Sequence, residues 1–447
     1  MKFLFHVMDN AAAFFSSIPV AKELEKRGHS TLFFPFKLHQ FYNQYTDKIP
    51  ALDIETLAQA SEINLFKHDL PTVHVNRSFP TPSTLLGAYE FAIVTKYFTI
   101  PLIKAYLPLT EQVFLEYKPD VVIVDFAGIP GAFIAEKHKI PWASFYRFAC
   151  ILESKDPSVP PSTLGLPVAK NQIMKTVYMA AKAGMSLYFK QFDKTLNQIR
   201  EDLGIPYKKN VLRESPVSPY LVIAFTVPEF EISRNDWLPQ LHFVGPYLWN
   251  TAPDLILPDW LEQLPDSKPV VFVTLGTLCT RLYLSLYEVA METIQDMNVT
   301  GVISAGAYRD TWTFNKLSSP PKNCFTAPFL PYSVILPKSS VVIHHGGTGA
   351  AISAISYGVP QVIIPLTYDN FDNAQRSVEA GVAVRLKVRG ITPKKLKNRI
   401  NLLLSEPNIR KRCIEMRKVF SRYDSPVMSA DLLIKLAQKK EIITRER

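Results

Sequence analysis

The stretch Val341-Val342-Ile343-His344-His345-Gly346-Gly347-Thr348-Gly349-Ala350 decides how this chain is read. An apolar strand runs into paired histidines and a glycine turn, and a helical pattern begins at once. Glycine is scarce, 17 of 447 residues, yet three fall between positions 346 and 349. Backbone freedom at a strand–helix junction lets N–H groups converge on a bulky anion at the positive end of the helix. The expected anion is a diphosphate, with the histidines adding donors, which predicts a user of nucleotide-activated substrates.

Apolar runs alternating with helical patterns extend outward from this stretch. Strands are predicted at 269–275 (PVVFVTL, followed by Gly276-Thr277), 300–304, 324–328, 341–345 and 361–365. The first half shows the same alternation: strand 2–8, helix 14–26, strand 30–35 after the Gly28 stop, strand 120–125 (DVVIVD), helix 131–138 and strand 142–146. Such runs imply parallel sheets covered on both faces. Residues 246–268, with Pro246, Pro253, Pro258 and Pro265, separate the two series and read as a linker. The expected class is α/β: two doubly wound, Rossmann-like domains, 1–245 and 269–425, facing across a cleft. Residues 426–447 are expected to form a C-terminal helix packing back toward the first domain. The irregular segments 64–86 and 153–168 are expected to shape a substrate pocket. A long helical segment at 171–203 reads as core or pocket wall through its Met and aromatic residues.

Composition narrows the function. A chain of this length exceeds one typical core, and 47% apolar with 20% charged residues is ordinary for a globular protein. The net charge of +10 is dispersed, without an arginine-rich run or aromatic-basic ladder. That argues against nucleic acid and suits an anionic nucleotide, with at most weak peripheral membrane contact. Cys150, Cys279, Cys324 and Cys413 form no Cys-x-x-Cys pair, which argues against a zinc site or disulfide framework and for a reducing, cytoplasmic setting. The N-terminal apolar run imitates a secretory signal, but Asp9 and Asn10 interrupt it. No stretch reaches the roughly 18–20 apolar residues of a spanning helix.

The C-terminal half resembles the nucleotide-sugar domain of the UDP-glycosyltransferase family, whose members have the GT-B fold and are metal-independent, inverting enzymes acting on small molecules. The resemblance rests on Phe329-Leu330-Pro331, on HHGGTGA at 344–350, on Gly358-Val359-Pro360 and on the block from Pro365 to Ala374 (PLTYDNFDNA). Phe243-Val244-Gly245-Pro246 follows the family's organisation near the linker. The resemblance implies that Phe329 stacks on the base, that His345 holds the diphosphate, and that Gly347 and Gly349 let the turn approach it. Thr277 lies in the phosphate-contacting loop, and Asp369 and Asn370 match the pair that grips sugar hydroxyls. It further implies a UDP- or dTDP-sugar (UDP-glucose or similar) as co-substrate, no separate cofactor and no metal. A lipophilic small-molecule acceptor would occupy the first domain and receive a hexose on a hydroxyl.

Several positions depart from the family pattern. The histidine that serves the family as general base falls at Ala13, and a methyl group cannot accept a proton. Its carboxylate partner is retained as Asp125, which could act directly or through a water. Asp9 is a second candidate, and His68 and His74 are weaker ones in an acceptor-side loop. Asn370 replaces the more frequent Gln, Ala350 a hydroxyl donor to phosphate, and Ser353 the ribose-binding Glu of plant-type members. Two alternatives stand beside transfer: a non-catalytic or weakly active nucleotide-sugar-binding member, and a sugar-nucleotide epimerase or hydrolase of the same fold.

Overall fold

The computed structural model describes residues 1–38, 40, 54–73, 91–92, 94–248, 256–265, 267–277, 279–306, 311–317 and 319–445. Twelve strands lie in two six-stranded sheets among these residues. In the first half, β1 (Lys2–His6) leads into α1 (Ala11–Lys26), followed by β2 (Ser30–Phe33), α2 (Ile100–Tyr117), β3 (Val121–Asp125), α3 (Ile129–Lys137) and β4 (Trp142–Tyr146). Then come α4 (Gln172–Lys190), α5 (Asp193–Asp202), β5 (Leu221–Ala224) and β6 (Leu241–Phe243). The strands are all parallel, in the order β2-β1-β3-β4-β5-β6.

The second half runs β7 (Val270–Thr274), α6 (Leu284–Gln295), β8 (Thr300–Ser304), β9 (Cys324–Ala327), β10 (Val341–His344), α7 (Thr348–Tyr357), β11 (Gln361–Ile363), α8 (Asn370–Glu379) and β12 (Ala383–Arg385). Its sheet is also parallel, ordered β12-β11-β10-β7-β8-β9. The helices α9 (Pro393–Ser405), α10 (Pro407–Phe420) and α11 (Ser425–Lys439) close the chain. Central strands such as VVIVD and VVFVT are buried along their whole length, as a sheet covered on both faces requires. This is the GT-B plan of two Rossmann-like domains.

The helix α11 packs along α1 in the first domain, placing Ala430, Leu433, Leu436 and Ala437 in one core with Phe14, Ala21 and Leu24. Arg27 pairs with Asp431 across that contact, and the Ile443 N–H donates to the Tyr220 carbonyl at 2.9 Å. A second tie lies beside the cleft. Asp372 on α8 accepts from the N–H groups of Thr163 (2.6 Å) and Gly165 (2.8 Å). Arg376 forms a buried ion pair with Glu231, and Arg385 donates to the Gly165 carbonyl at 2.8 Å. The 153–168 segment is thereby fastened to the second domain. Of the proline-rich stretch between β6 and β7, residues 249–255 and 266 lie outside the described residues.

Two expectations are corrected. The helical segment at 171–203 is two helices, interrupted at Gln191 and Phe192. Its first part is not core: Tyr178 alone among the residues of α4 is buried, while Ile173, Val177, Met179 and Leu187 are exposed. Its Met and aromatic residues read as interior from composition, yet nothing in the pattern supplies the surface they would pack on. Strands β5, β6 and β12 extend both sheets beyond the alternation read from the sequence; β6 and β12 have three residues each, too short to show a period.

Candidate nucleotide-sugar site

In each sheet the chain order reverses between neighbouring strands, at β1/β3 and at β7/β10, and ligand crevices open at the carboxyl ends of such pairs. In the second domain His344 is in register with Thr274 on β7 and with Ile363 on β11. The turns that follow these three strands therefore meet. They carry Gly276-Thr277, His345-Gly346-Gly347 and Leu366–Asp369 in that order.

The strand-end His344 is structural. Its Nε2 donates to Gln361 Oε1 at 2.8 Å, and its Nδ1 accepts from the Gly346 N–H at 3.0 Å, which sets the tautomer. Gly346 has φ of +90°, and a Cβ there would lie 2.7 Å from the Asn370 carbonyl oxygen. The turn thus needs glycine for both conformation and space. The His345 ring fills the gap between two further glycines. A Cβ on Gly276 would come 2.5 Å from its Cε1, and one on Gly347 would come 2.4 Å from its Nε2. Burial pushes the His345 imidazolium down to about 3, and the neighbouring His344 adds to the effect. The ring is neutral at pH 7, and its buried Nδ1 has no protein partner among the described residues.

Gly347 is the N-cap of α7, and no side chain caps that helix. Its first amides therefore remain available to an anion, reinforced by the helix dipole. Thr348 opens the helix and donates through Oγ1 to Asp369 at 2.9 Å. Asn373 binds the assembly together: its Nδ2 donates to the Gly346 carbonyl (2.8 Å), Thr348 Oγ1 (3.1 Å) and Asp369 Oδ2 (2.9 Å). Burial raises the Asp369 carboxyl to about 6, against the hydrogen bond from Thr348, the charge of Arg147 and the Asn373 amide. Asn370 is buried and folds back, its Oδ1 accepting from the Thr367 N–H at 3.1 Å. Thr277 follows Gly276 on the adjoining turn, and Phe329 lies half-buried beyond the end of β9. Ala350 and Ser353 are both buried on α7.

Across the cleft, the carboxylates named from the sequence are present and buried. Asp125, at the end of β3, is 0% exposed; Oδ2 accepts from Met8 N–H (3.1 Å) and Oδ1 from Ala127 N–H (3.0 Å). Burial raises its proton affinity against the charge of Arg147, whose Nη1 lies 3.6 Å away. Asp9 is 2% exposed and accepts from the Gln40 N–H at 2.7 Å. Ala13 is fully buried in the first turn of α1, and its N–H donates to the Asn10 side chain at 2.8 Å. His68 packs edge-on against Phe34 and Tyr106, with both ring nitrogens near backbone carbonyls. His74 lies outside the described residues.

Four residues of this region carry roles the sequence reading did not assign. Thr348 was quoted within the motif, and Asn373 stands one helical turn after Asp369, a spacing that could have suggested the pairing. Arg147, a lone charge after the apolar strand WASFY, acts on Asp369, and Tyr247, after Gly245-Pro246, brings its hydroxyl within 3.4 Å of a Cβ built on Gly349 in α7; neither spacing announces this.

The C-terminal residues 297–436 match the family model for the Erythromycin biosynthesis protein CIII-like C-terminal domain. The chain is 25% identical over 420 residues to 4'-demethylrebeccamycin synthase of Lentzea aerocolonigenes, covering 93% of this chain and 94% of that protein. The solved calicheamicin glycosyltransferase superposes with a TM-score of 0.69 at 19% identity, covering 98% of both chains. The glycosyltransferase VinC, solved in complex with dTDP, gives a TM-score of 0.66 at 20% identity over 98% of this chain and all of its own.

Proposed function

The chain belongs to the UDP-glycosyltransferase family, and from that premise we propose that it transfers a hexose from a UDP- or dTDP-sugar to a hydroxyl of a lipophilic small molecule, with inversion. The observation that carries the reading is the uncapped α7 N-terminus beside the His345 ring, which is wedged between Gly276 and Gly347. The nucleotide diphosphate sits on these donors, with the base against Phe329, Thr277 beside the phosphates, and Asp369 with Asn370 at the sugar. The acceptor oxygen bonds to the anomeric carbon on the face opposite the diphosphate. The bond from that carbon to the phosphate oxygen breaks, and its electron pair leaves with the diphosphate. Helix amides and the His345 imidazole steady the charge that grows there. Neither a metal nor a further cofactor is part of this reading.

The acceptor's proton passes to Asp125, directly or through a water, with Asp9 as the second candidate. Burial favours the protonated carboxyl at Asp125 more than at an exposed aspartate. The glycosyltransferase names of the relatives support transfer over the epimerase or hydrolase alternative. Four free cysteines suit a reducing cytoplasm, and no helix among the described residues is long and apolar enough to cross a membrane.

The fully buried methyl of Ala13 favours a second reading, a nucleotide-sugar binder without turnover. Calorimetry with UDP and dTDP, beside transfer assays over phenolic, sterol and macrolide acceptors, separates the two. Transfer that disappears in Asp125→Ala while UDP still binds supports the carboxylate as base. Tight UDP binding with no turnover on any acceptor points to the second reading. Absence of binding to either nucleotide, or binding indifferent to His345→Ala, removes the site assignment.

A further inference from the structure

Two buried polar side chains outside the family's motif block carry atoms without a hydrogen-bond partner among the described residues, and one of them ends beside the start of α7. Tyr247 lies just past the end of β6, 6% exposed, with its ring edge-on to Phe225 at 5.8 Å. Its hydroxyl has no hydrogen-bond partner among the described residues. A Cβ built on Gly349, in the first turn of α7, would find that hydroxyl oxygen as its nearest neighbour at 3.4 Å. Arg147 follows β4, 4% exposed, with its guanidinium 5.2 Å above the Phe126 ring. Its Nη1 forms an ion pair with Asp125 at 3.6 Å and has no hydrogen-bond partner among the described residues. The guanidinium charge acts on both Tyr247 and Asp369.

An unpaired buried hydroxyl or guanidinium N–H costs on the order of 1–3 kcal/mol. The Tyr247 hydroxyl beside the open helix amides, with the orphan Nδ1 of His345 on the same turn, leaves donors without a protein acceptor among the described residues. The occupant is an anion, since every unmatched group is able to donate. We propose that Tyr247 and Arg147, both contributed from outside the nucleotide-sugar domain, complete the diphosphate site. Tyr247 supplies the hydroxyl donor that Ala350 cannot, and Arg147 supplies positive charge from the acceptor side. The site is then whole only when the two domains are together. The inference rests on the donor reading above and extends it to residues on the opposite wall.

The experiment is calorimetry of UDP, dTDP and uridine with the full chain, its Tyr247→Phe variant and its Arg147→Lys variant. Tyr247→Phe keeps the ring packed on Phe225 and removes only the hydroxyl; Arg147→Lys keeps a charge beside Asp125. The expected result is a loss of about tenfold in UDP and dTDP affinity for Tyr247→Phe, with uridine binding unchanged. Arg147→Lys should weaken UDP, again without effect on uridine. UDP affinity equal to wild type in both variants overturns the inference while leaving the donor reading intact. So does an equal loss for UDP and uridine, which marks the two residues as structural. A wild-type chain that binds neither UDP nor dTDP fails the donor reading itself. Thermal melts of each variant identify misfolding, and if Arg147→Lys unfolds, Tyr247→Phe decides alone.

Discussion

The β1/β3 and β7/β10 crevices begin from the same plan, a parallel strand turning into a helix beside a neighbouring strand end, and become chemical opposites. At the first, the Asn10 side chain occupies the N-terminus of α1 by accepting from Ala13 N–H. Asp9 and Asp125 add two buried carboxylates, both already accepting backbone N–H groups. At the second, the cap is Gly347, without a side chain, and no acid stands in the first turn of α7. The first crevice holds two buried carboxylates with Arg147 beside one of them; the second holds an uncapped helix start, with Asp369 its one named carboxylate, already accepting from Thr348 and Asn373. That contrast is what supports the proposed placement of a diphosphate at the second and of the acceptor hydroxyl at the first. The difference lies in a few side chains at the strand–helix turn, since the sheets themselves are alike.

Acid should weaken both domains through their buried histidines, and this is the largest effect expected. Burial holds His344 down to about 4, and His345 to about 3, in the second crevice, and His6 to about 4 in the first domain. Each histidine is neutral when folded but takes a proton near pH 6.5 when unfolded. Their contribution is therefore complete above pH 6.5 and is lost as pH falls toward 4, by about 3 kcal/mol each. Denaturant titrations from pH 7.5 to 4 should show the decline. The Asp369 carboxyl works the other way in the second crevice, because it takes its proton near pH 6 when folded and only near 3.8 when unfolded, and Asp125 shifts in the same direction in the first. A flat stability profile would show that the buried histidines are not held neutral.

Two substitutions test the contrast between the crevices. Gly276→Ala places a methyl 2.5 Å from the His345 ring at a backbone φ of +64°. Displacing that ring should cost about 10- to 100-fold in UDP affinity, the worth of a hydrogen bond to a charged group, read by calorimetry. On the other wall, Ala13→His inserts a ring into a position that is 0% exposed. It should lower stability by about 1–3 kcal/mol while leaving UDP affinity unchanged. A strong gain in transfer from Ala13→His would show instead that a missing base limits the enzyme.

The second crevice was the more legible because its chemistry is local. Scarce glycines crowded at 346–349, an apolar strand before them and a helix after them together announce an open helix N-terminus, and the structure has one. The β-strands with four apolar residues were equally plain, as at Trp142–Tyr146 and Val270–Thr274. What stayed hidden depends on contacts between distant positions. Arg147 acts on Asp369, 222 residues further on, and Asp372 binds Thr163 across the domain boundary. Periodicity shows which face of an element is apolar but not what covers it, which is why α4 reads as core and yet lies on the surface. The burial of Ala13 is hidden for the same reason: the sequence shows that a base is missing there, and only packing shows that the position is closed.

The smallest expected effect tests the cap itself. Asn10→Ala removes the acceptor for Ala13 N–H and should cost about 1 kcal/mol of stability, with Asn10→Gly costing only a few tenths. Both can be read as shifts in the midpoint of urea unfolding. If an open helix N-terminus were sufficient for anion binding, Asn10→Gly would make α1 resemble α7 and create a second UDP or phosphate site. The surroundings argue otherwise. Asp9 precedes the cap directly, and Asp125 accepts from Met8 N–H two residues before it, so a phosphate at α1 would face two buried carboxylates. Arg147 sits beside Asp125 and offsets only part of that charge. Calorimetry on Asn10→Gly should therefore return one nucleotide site, as in the wild type. A second site would mean that the cap alone separates the crevices and that the carboxylates contribute little.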